Sequence, residues 1–310
     1  MRFIETLREG ERISGVYFCK HKTIAVAKSG KEYGNVILQD KTGTLDGKIW
    51  DLGSAGIREF ESMDYVDIKG DVTVFNGALQ LNIKEARKAD EGTYIESDYM
   101  PTSQKDIEEM YAELTSIILS MKNEYLLKLT RRFFIDDKDF AAKFKRHSAA
   151  KRVHHGFVGG LLEHTLGVTK LCVTLADNYP YLLITAAVFH DIGKVYELSS
   201  FPENDYTDAG QLLGHIVMGC EIIGRAVSEI EGFPVVLARE LKHCVLAHHG
   251  EFEYGSPKKP ALIEAVALHY ADDIDAKLET FKEALNAPGA QAGEWLGFNK
   301  MLDSNIRSTI

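Results

Sequence analysis

The chain has 310 residues and a formal net charge of −10, with 45% hydrophobic and 26% charged residues, as in an ordinary globular protein whose length predicts about two domains. It contains no apolar run of the about 18 residues that a membrane span needs, and residues 1–10 lack the apolar segment of a secretory signal. The four cysteines are far apart, with no CxxC pair, as is typical of reduced thiols. We therefore predict a cytoplasmic protein with no membrane partner.

Residues 12–88 alternate between apolar and polar side chains, which predicts β-strands. Residues 33–40 and 45–50 flank the turn signal KTGT, and Asn76-Gly77 is the strongest short hairpin turn available. A short helix is predicted over residues 54–61, between the third and fourth strands. Five strands in under 90 residues, interrupted at this point, are the layout of an OB-fold barrel, and we assign residues 1–90 to it.

This barrel resembles the OB domains that bind single-stranded nucleic acid, both in strand order and in the pattern GNVILQDKTGTLDGKIWD. An exposed aromatic side chain on such a sheet contributes about 1–3 kcal/mol per stacked base. The candidates for stacking are Phe18, Tyr33, Trp50 and Phe75. Each of them has an alternative interpretation as a residue of the barrel core or rim.

Residues 91–103 contain few apolar side chains and are predicted to be a linker. Beyond them the apolar residues follow helical spacing to near the end, which predicts an all-α domain over residues 104–310. The segment from residue 287 to the end contains Trp295 and Phe298 and is a candidate interface for a homo-oligomer.

A local excess of positive charge precedes the histidine-rich part of the chain. Residues 122–155 contain 10 lysines or arginines against 4 acidic residues. Such a strip can guide a phosphate backbone, and the expected contacts are Lys143, Arg146, Lys151 and Arg152. The alternative is a solvated helix face.

Widely spaced metal-capable side chains occupy the second half of the chain. Over 109 residues they are His164, His190, Asp191, His215, His248, His249 and Asp272. A histidine in an apolar helix is usually a core residue, but several such imidazoles buried without a metal would cost roughly 1–3 kcal/mol each in unpaired polar groups. Imidazoles and carboxylates together suit divalent Zn, Mn, Fe or Ni, and this set is large enough for two metals. A two-metal site indicates hydrolysis of a phosphate ester.

The motifs around these residues are specific. The blocks GGLLEHTLGV, AAVFHDIGKVYEL, GHIVMG, LAHHGEFEYGSP and EAVALHYADDIDAK resemble the successive motifs of HD-domain metal-dependent phosphohydrolases. Together with the N-terminal barrel, the chain resembles the YhaM-type 3′→5′ exoribonucleases of Gram-positive bacteria. The resemblance implies hydrolysis of single-stranded RNA, and of single-stranded DNA if no residue reads the 2′-hydroxyl.

The same resemblance implies a role for each site residue. His164, His190, Asp191 and Asp272 would hold one metal, with Asp191 bridging to a second metal. His215 would hold the second metal with one or both of His248 and His249, of which His248 is preferred. Lys194 would steady the phosphate oxyanion, and His154 and His155 would contact phosphate or protonate the leaving oxygen. Two Mn²⁺ ions are expected, with Fe, Ni and Zn left open.

The sequence differs at two points from the cyclic-dinucleotide phosphodiesterases of the HD superfamily, and these differences limit the functions that we expect. Their GYP block is absent after the histidine doublet, and Gly160 stands where their trinuclear members have a glutamate. We therefore expect neither a cyclic-dinucleotide substrate nor a third metal. Two other functions remain open: hydrolysis of small nucleotides, and non-catalytic binding of nucleic acid with a structural metal.

Overall fold

The computed structural model describes residues 2–27, 30–151, 155–176, 180–286 and 291–309. The predicted site residues Arg152 and His154 lie outside these ranges. The chain divides into two compact units, Met1–Thr102 with Phe201–Glu203, and Ser103–Ser200 with Asn204–Ile310.

The first unit is a closed five-stranded barrel, which confirms the predicted OB-type architecture. The strands run in the order β1-β2-β3-β5-β4, and antiparallel pairing of β1 with β4 closes the barrel. Their bounds are β1 Arg12–Val26, β2 Glu32–Asp40, β3 Gly43–Ile49, β4 Tyr65–Phe75 and β5 Ala78–Lys88. The buried residues alternate along these strands as the sequence pattern indicated.

Strand β1 is long because it pairs with two neighbouring strands. Its first half pairs with β4 up to Phe18, and its second half pairs with β2. The register shifts between Cys19 and His21, which marks a bulge. Because a bulge bends the strand that carries it, one strand can turn the corner of the barrel.

The predicted helix over residues 54–61 is wrong. These residues form turns, and Ile57 makes a parallel bridge to Ala86 of β5. A Cβ atom on Gly56 would lie 2.7 Å from the Lys84 carbonyl oxygen, so the segment lies tightly against β5. This edge contact holds the backbone extended and prevents helical hydrogen bonding.

The second unit is mainly helical. Its helices are α1 Ile107–Leu119, α2 Glu124–Arg131, α3 Lys138–Arg146, α4 Gly160–Leu175, α5 Pro180–Phe189, α6 Lys194–Glu197, α7 Asp208–Ser228, α8 Val235–Ala247 and α9 Ile263–Leu285. A hairpin of β6 Trp295–Asn299 and β7 Ser304–Arg307 follows them. Among the described residues, no helix is both long and apolar enough to cross a membrane.

Helix α5 is the centre of the helical core. It contacts α4, α8 and α9, and its residues Leu183, Ala186, Ala187 and Phe189 are buried on several faces. A helix that is apolar all round is typical of a buried position. His190 and Asp191 follow directly at its C-terminal end, so the packing of the core fixes their position.

Candidate metal centre

Five helices bring all of the predicted metal ligands to one place. His164 lies in the first turns of α4, and His190 and Asp191 follow α5. His215 comes from α7, His248 and His249 from the end of α8, and Asp272 from α9. The side chains form two groups, one on each side of the Asp191 carboxylate.

The first group consists of His164, His190, Asp191 and Asp272. The Nε2 atoms of His164 and His190 are 3.1 Å apart, and Asp191 Oδ2 lies 3.4 Å from each. Asp272 Oδ1 is 3.1 Å from His164 Nε2. Two nitrogens and two carboxylate oxygens thus face a common point.

The second group lies on the other oxygen of the same carboxylate. Asp191 Oδ1 is 3.3 Å from His215 Nε2 and 3.7 Å from His248 Nε2. His249 completes this group, since its ligand atom and those of His215 and His248 lie within 4.8 Å of one another. Asp191 therefore lies between two sets of donors, in the position of a bridging ligand.

Hydrogen bonds at Nδ1 set the orientation and tautomer of the imidazoles. In three of them Nδ1 donates to a backbone carbonyl oxygen: His190 to Ala187 (2.7 Å), His248 to Val245 (2.7 Å) and His249 to Tyr254 (2.9 Å). Each such bond leaves Nε2 with its lone pair toward the site. This arrangement is typical of metal-bound histidine.

Carboxylates orient the other two imidazoles. Asp275 Oδ2 accepts from His164 Nδ1 at 2.8 Å, and Glu197 Oε1 accepts from His215 Nδ1 at 3.1 Å. Glu197 also accepts from the backbone N–H of His215 at 2.9 Å. Neither carboxylate was predicted from the sequence, since nothing in the residues around them distinguishes them from other acidic residues.

Two glycines allow the helices to approach this closely. A Cβ atom on Gly193 would lie 2.0 Å from the His215 carbonyl oxygen. Gly214 has φ 74° and interrupts α7, which turns His215 toward Glu197. A positive φ of this size strains most other residues.

The donor set fits divalent metal ions. Asp191 Oδ1, His215 Nε2 and His248 Nε2 are buried atoms with no hydrogen-bond partner. The facing Nε2 atoms of His164 and His190 are both acceptors when each Nδ1 donates, so they repel unless a positive charge lies between them. A cation on either side of Asp191 removes both conflicts.

The charge states agree with this fit. Burial lowers the pKa of His248 and of His249, which keeps both imidazoles neutral. Burial alone would raise the pKa of Asp191, but Lys194 and His190 hold it well below its usual range. Burial opposes a charge on His164, yet Asp191, Asp272 and Asp275 raise its pKa, so these carboxylates attract positive charge to this position. Neutral imidazoles and ionised carboxylates are the forms that bind metal.

Lys194 and His155 lie beside the metal ligands. Lys194 Nζ is 2.6 Å from Asp191 Oδ2; burial opposes its charge, but Asp191 outweighs this effect and raises its pKa. His155 is 2% exposed, and its ring centroid is 5.3 Å from that of His164. With Asp191, both residues line a cavity of about 560 Å³, whose wall also includes Tyr254.

The aromatic candidates on the barrel divide into two kinds. Trp50 is 47% exposed and Phe75 62% exposed, and the Trp50 ring lies 5.0 Å from the half-buried Tyr33 ring. Phe18 is fully buried and its ring contacts Tyr65 at 5.3 Å. The prediction that Phe18 stacks on nucleic acid is therefore wrong, because its ring faces the protein interior.

The basic strip is only partly available to a ligand. Lys143 and Arg146 are exposed in the last turn of α3. Lys151 is half-buried and its Nζ is 2.5 Å from Asp205 Oδ1. Because Asp205 neutralises the ammonium group of Lys151, this lysine is less available for the predicted contact with phosphate.

Known proteins are similar to this chain over most of its length. The HD domain family matches residues 161–277, which hold all seven proposed ligands. The chain is 36% identical over 283 residues to the 3′-5′ exoribonuclease YhaM of Geobacillus sp. (strain WCH70), covering 89% of this chain and 86% of that protein. It is 35% identical over 284 residues to the YhaM of Bacillus velezensis (strain DSM 23117 / BGSC 10A6 / LMG 26770 / FZB42), covering 89% and 88%. The protein is thus an HD-domain protein, of the class that binds divalent metal.

Within that class, the chain belongs to the YhaM family of 3′-5′ exoribonucleases. Among solved structures, the second OB-fold domain of replication protein A from Methanococcus maripaludis is similar to 30% of this chain and 98% of its own, with 14% identity and a TM-score of 0.22. The assignment of the barrel therefore depends on its strand order.

Proposed function

We propose that this protein hydrolyses single-stranded RNA stepwise from its 3′ end and releases nucleoside 5′-monophosphates. The observation that carries the proposal is Asp191, whose two oxygens face two separate sets of imidazoles. Family membership supplies the direction of attack and the class of substrate.

Two divalent cations would occupy the centre, and Mn²⁺ is the metal we propose. His164, His190 and Asp272 would hold one cation, and His215, His248 and His249 the other, with Asp191 shared between them. When bound, such cations polarise a phosphoryl oxygen and lower the pKa of water toward neutrality.

Lys194 would act on the phosphate directly. Its ammonium group is held at the cavity wall by Asp191, and the side chain is 17% exposed. Negative charge grows on the phosphoryl oxygens as the phosphodiester is cleaved, and a fixed positive charge in a water-poor site offsets it.

The barrel would hold the upstream RNA strand. Trp50 with Tyr33 offers a paired aromatic surface, and Phe75 offers a second exposed ring. Stacking of this kind tolerates any base, so the proposed binding is independent of sequence and extends to single-stranded DNA.

Labelled RNA tests the proposal. With Mn²⁺, a 5′-labelled single strand should shorten step by step, and a 3′-labelled strand should release labelled mononucleotide from the first time point. Asp191→Asn should reduce the rate by at least about 10³-fold, because the amide no longer bridges two cations. Asp139→Asn, an exposed residue at the start of α3, is the matched control and should keep the wild-type rate.

Three results would overturn the proposal: fragments from internal cleavage, hydrolysis of free nucleotides without shortening of RNA, or unchanged activity in Asp191→Asn. The second result would favour a small-nucleotide phosphohydrolase. Binding without any cleavage would favour a protein with a purely structural metal.

A further inference from the structure

A second group of metal-capable side chains lies next to the proposed two-metal centre. It consists of His155, Glu163, Asp275 and Glu279, from the segment before α4, from α4 and from α9. His155 is 2% exposed, and Glu163 and Glu279 are each 9% exposed. Three carboxylates and one imidazole are thus packed together with little access to water.

The imidazole of His155 has no hydrogen-bond partner among the described residues. Its Nε2 atom lies 3.9 Å from Asp275 Oδ2 and 3.9 Å from Glu279 Oε2. That separation is too long for a hydrogen bond. Bonds from a divalent metal to nitrogen or oxygen are about 2.0–2.2 Å long, so atoms 3.9 Å apart can share one cation.

From this geometry we propose a third divalent-cation site, formed by His155, Glu163 and Glu279, whose ligand atoms lie within 4.8 Å of one another, with Asp275 at its edge. One nitrogen and several carboxylate oxygens are a donor set that suits Mn²⁺. The three carboxylates face two lysines, and a cation would offset the remaining negative charge. His155 also lines the main cavity, so the cation would add positive charge to its wall.

The proposal departs from the expectation of no third metal that was drawn from Gly160. A Cβ atom at position 160 would lie 1.9 Å from the His155 carbonyl oxygen. Any side chain at this position, including glutamate, would displace the segment that carries His155. Glycine therefore removes one potential ligand and admits another.

Two lysines compete with the proposed cation. Lys282 Nζ is 3.0 Å from Glu279 Oε2, and Lys105 Nζ is 2.8 Å from Glu163 Oε1. Both ammonium groups are more than half exposed, whereas the carboxylates are not. Each carboxylate oxygen has two lone pairs, so Glu279 can bind a metal and keep its lysine contact.

Metal counting on the full-length protein tests the site. The chelator-stripped protein is titrated with Mn²⁺ by calorimetry, and bound metal is measured after gel filtration. Since each intact site adds one ion, the wild type should bind about three Mn²⁺ per chain, and Glu279→Gln and His155→Ala about two. The matched control Glu283→Gln, an exposed residue one turn further along α9, should keep about three.

The variant Lys282→Met distinguishes two explanations of this cluster. Either it binds a divalent cation, or its lysines alone neutralise the carboxylates. Removal of the competing ammonium should tighten the weakest Mn²⁺ site by about tenfold. Lower thermal stability with unchanged Mn²⁺ binding would show instead that Lys282 is the native counter-ion and would overturn the proposal.

The count rests on the proposed two-metal centre, and the outcomes distinguish the two ideas. About two Mn²⁺ in both wild type and Glu279→Gln would refute the third site and leave the proposed function intact. Equal binding by wild type and Asp191→Asn would refute the two-metal centre, whatever Glu279→Gln shows.

Discussion

Asp191 is the residue on which the proposed chemistry depends. It is 2% exposed, Lys194 contacts one of its oxygens, and the other oxygen has no hydrogen-bond partner. A buried carboxylate is stable only when opposite charge or hydrogen bonds surround it. Lys194 supplies that charge to one oxygen, and a cation held by the surrounding imidazoles would supply it to the other.

Glu197 orients His215 through its Nδ1 atom, on the side of the ring away from the proposed metal. Its negative charge should therefore raise the affinity of the site for metal. In Glu197→Gln an amide oxygen can still accept the two His215 N–H groups, but the negative charge that makes the imidazole a better donor is lost. We expect the affinity for Mn²⁺ to fall by roughly tenfold, as measured by calorimetry.

The control for this prediction lies on the same helix as His215. Glu221→Gln removes an exposed carboxylate of α7 and should leave the affinity unchanged. Equal affinities in all three proteins would show that Glu197 only fills space.

The proposed metal ligands could be selected from the sequence, whereas the carboxylates that orient them could not. His164, His190 and His215 stand out because each is a polar residue in an otherwise apolar helix. Asp275 follows two other aspartates in the surface pattern ADDID, and Glu197 follows a tyrosine near a helix end. Their partners are 111 and 18 residues away, so only the fold reveals the contacts.

For the strands, the sequence leaves open which side chains face the barrel interior. Alternation shows that β1 has two faces, but it does not show which face a closed barrel turns inward near a bulge. Phe18 lies where β1 passes from one partner strand to the other, and its ring is buried against Tyr65, whereas Tyr17 and Cys19 belong to the barrel core. Trp50 follows the end of β3, where the side chain stays exposed.

Substitution of these two aromatic residues separates binding from stability. Trp50→Ala should weaken binding of single-stranded RNA by about 1–3 kcal/mol and leave the melting temperature unchanged. Phe18→Ala should lower the free energy of unfolding by about 3–5 kcal/mol, because it removes a fully buried ring that packs against Tyr65. Fluorescence anisotropy and thermal unfolding measure the two effects.

The opposite pattern would contradict this division. A large loss of stability in Trp50→Ala with unchanged RNA binding would place that ring in a structural role. In that case Phe75, which is 62% exposed on β4, would become the principal stacking residue.

Element prediction was least successful where contacts between elements decide the local structure. The 54–61 segment is extended because Gly56 and Ile57 lie along β5. The C-terminal hairpin is a pair of short strands, and its Trp295 and Phe298 remain exposed. Neither segment has enough residues in regular spacing for a sequence pattern to show its state.

At the scale of the whole molecule, the metal centre joins helices that are distant in sequence. Residues from α4, α7, α8 and α9 meet at the end of the buried helix α5. Their convergence around Asp191 produces two groups of donors in a core that is otherwise apolar. Cations bound at the proposed centre would therefore serve catalysis and also link the helices of this unit.

Anomalous diffraction from crystals of the full-length protein grown with Mn²⁺ tests this account most directly. Apart from the peak of the proposed third site, we predict two strong peaks at the Asp191 carboxylate, one between Asp191 Oδ2 and His164, and one between Asp191 Oδ1 and His215. A map with no peak at the Asp191 carboxylate, in crystals whose cleavage activity is intact, would contradict the account.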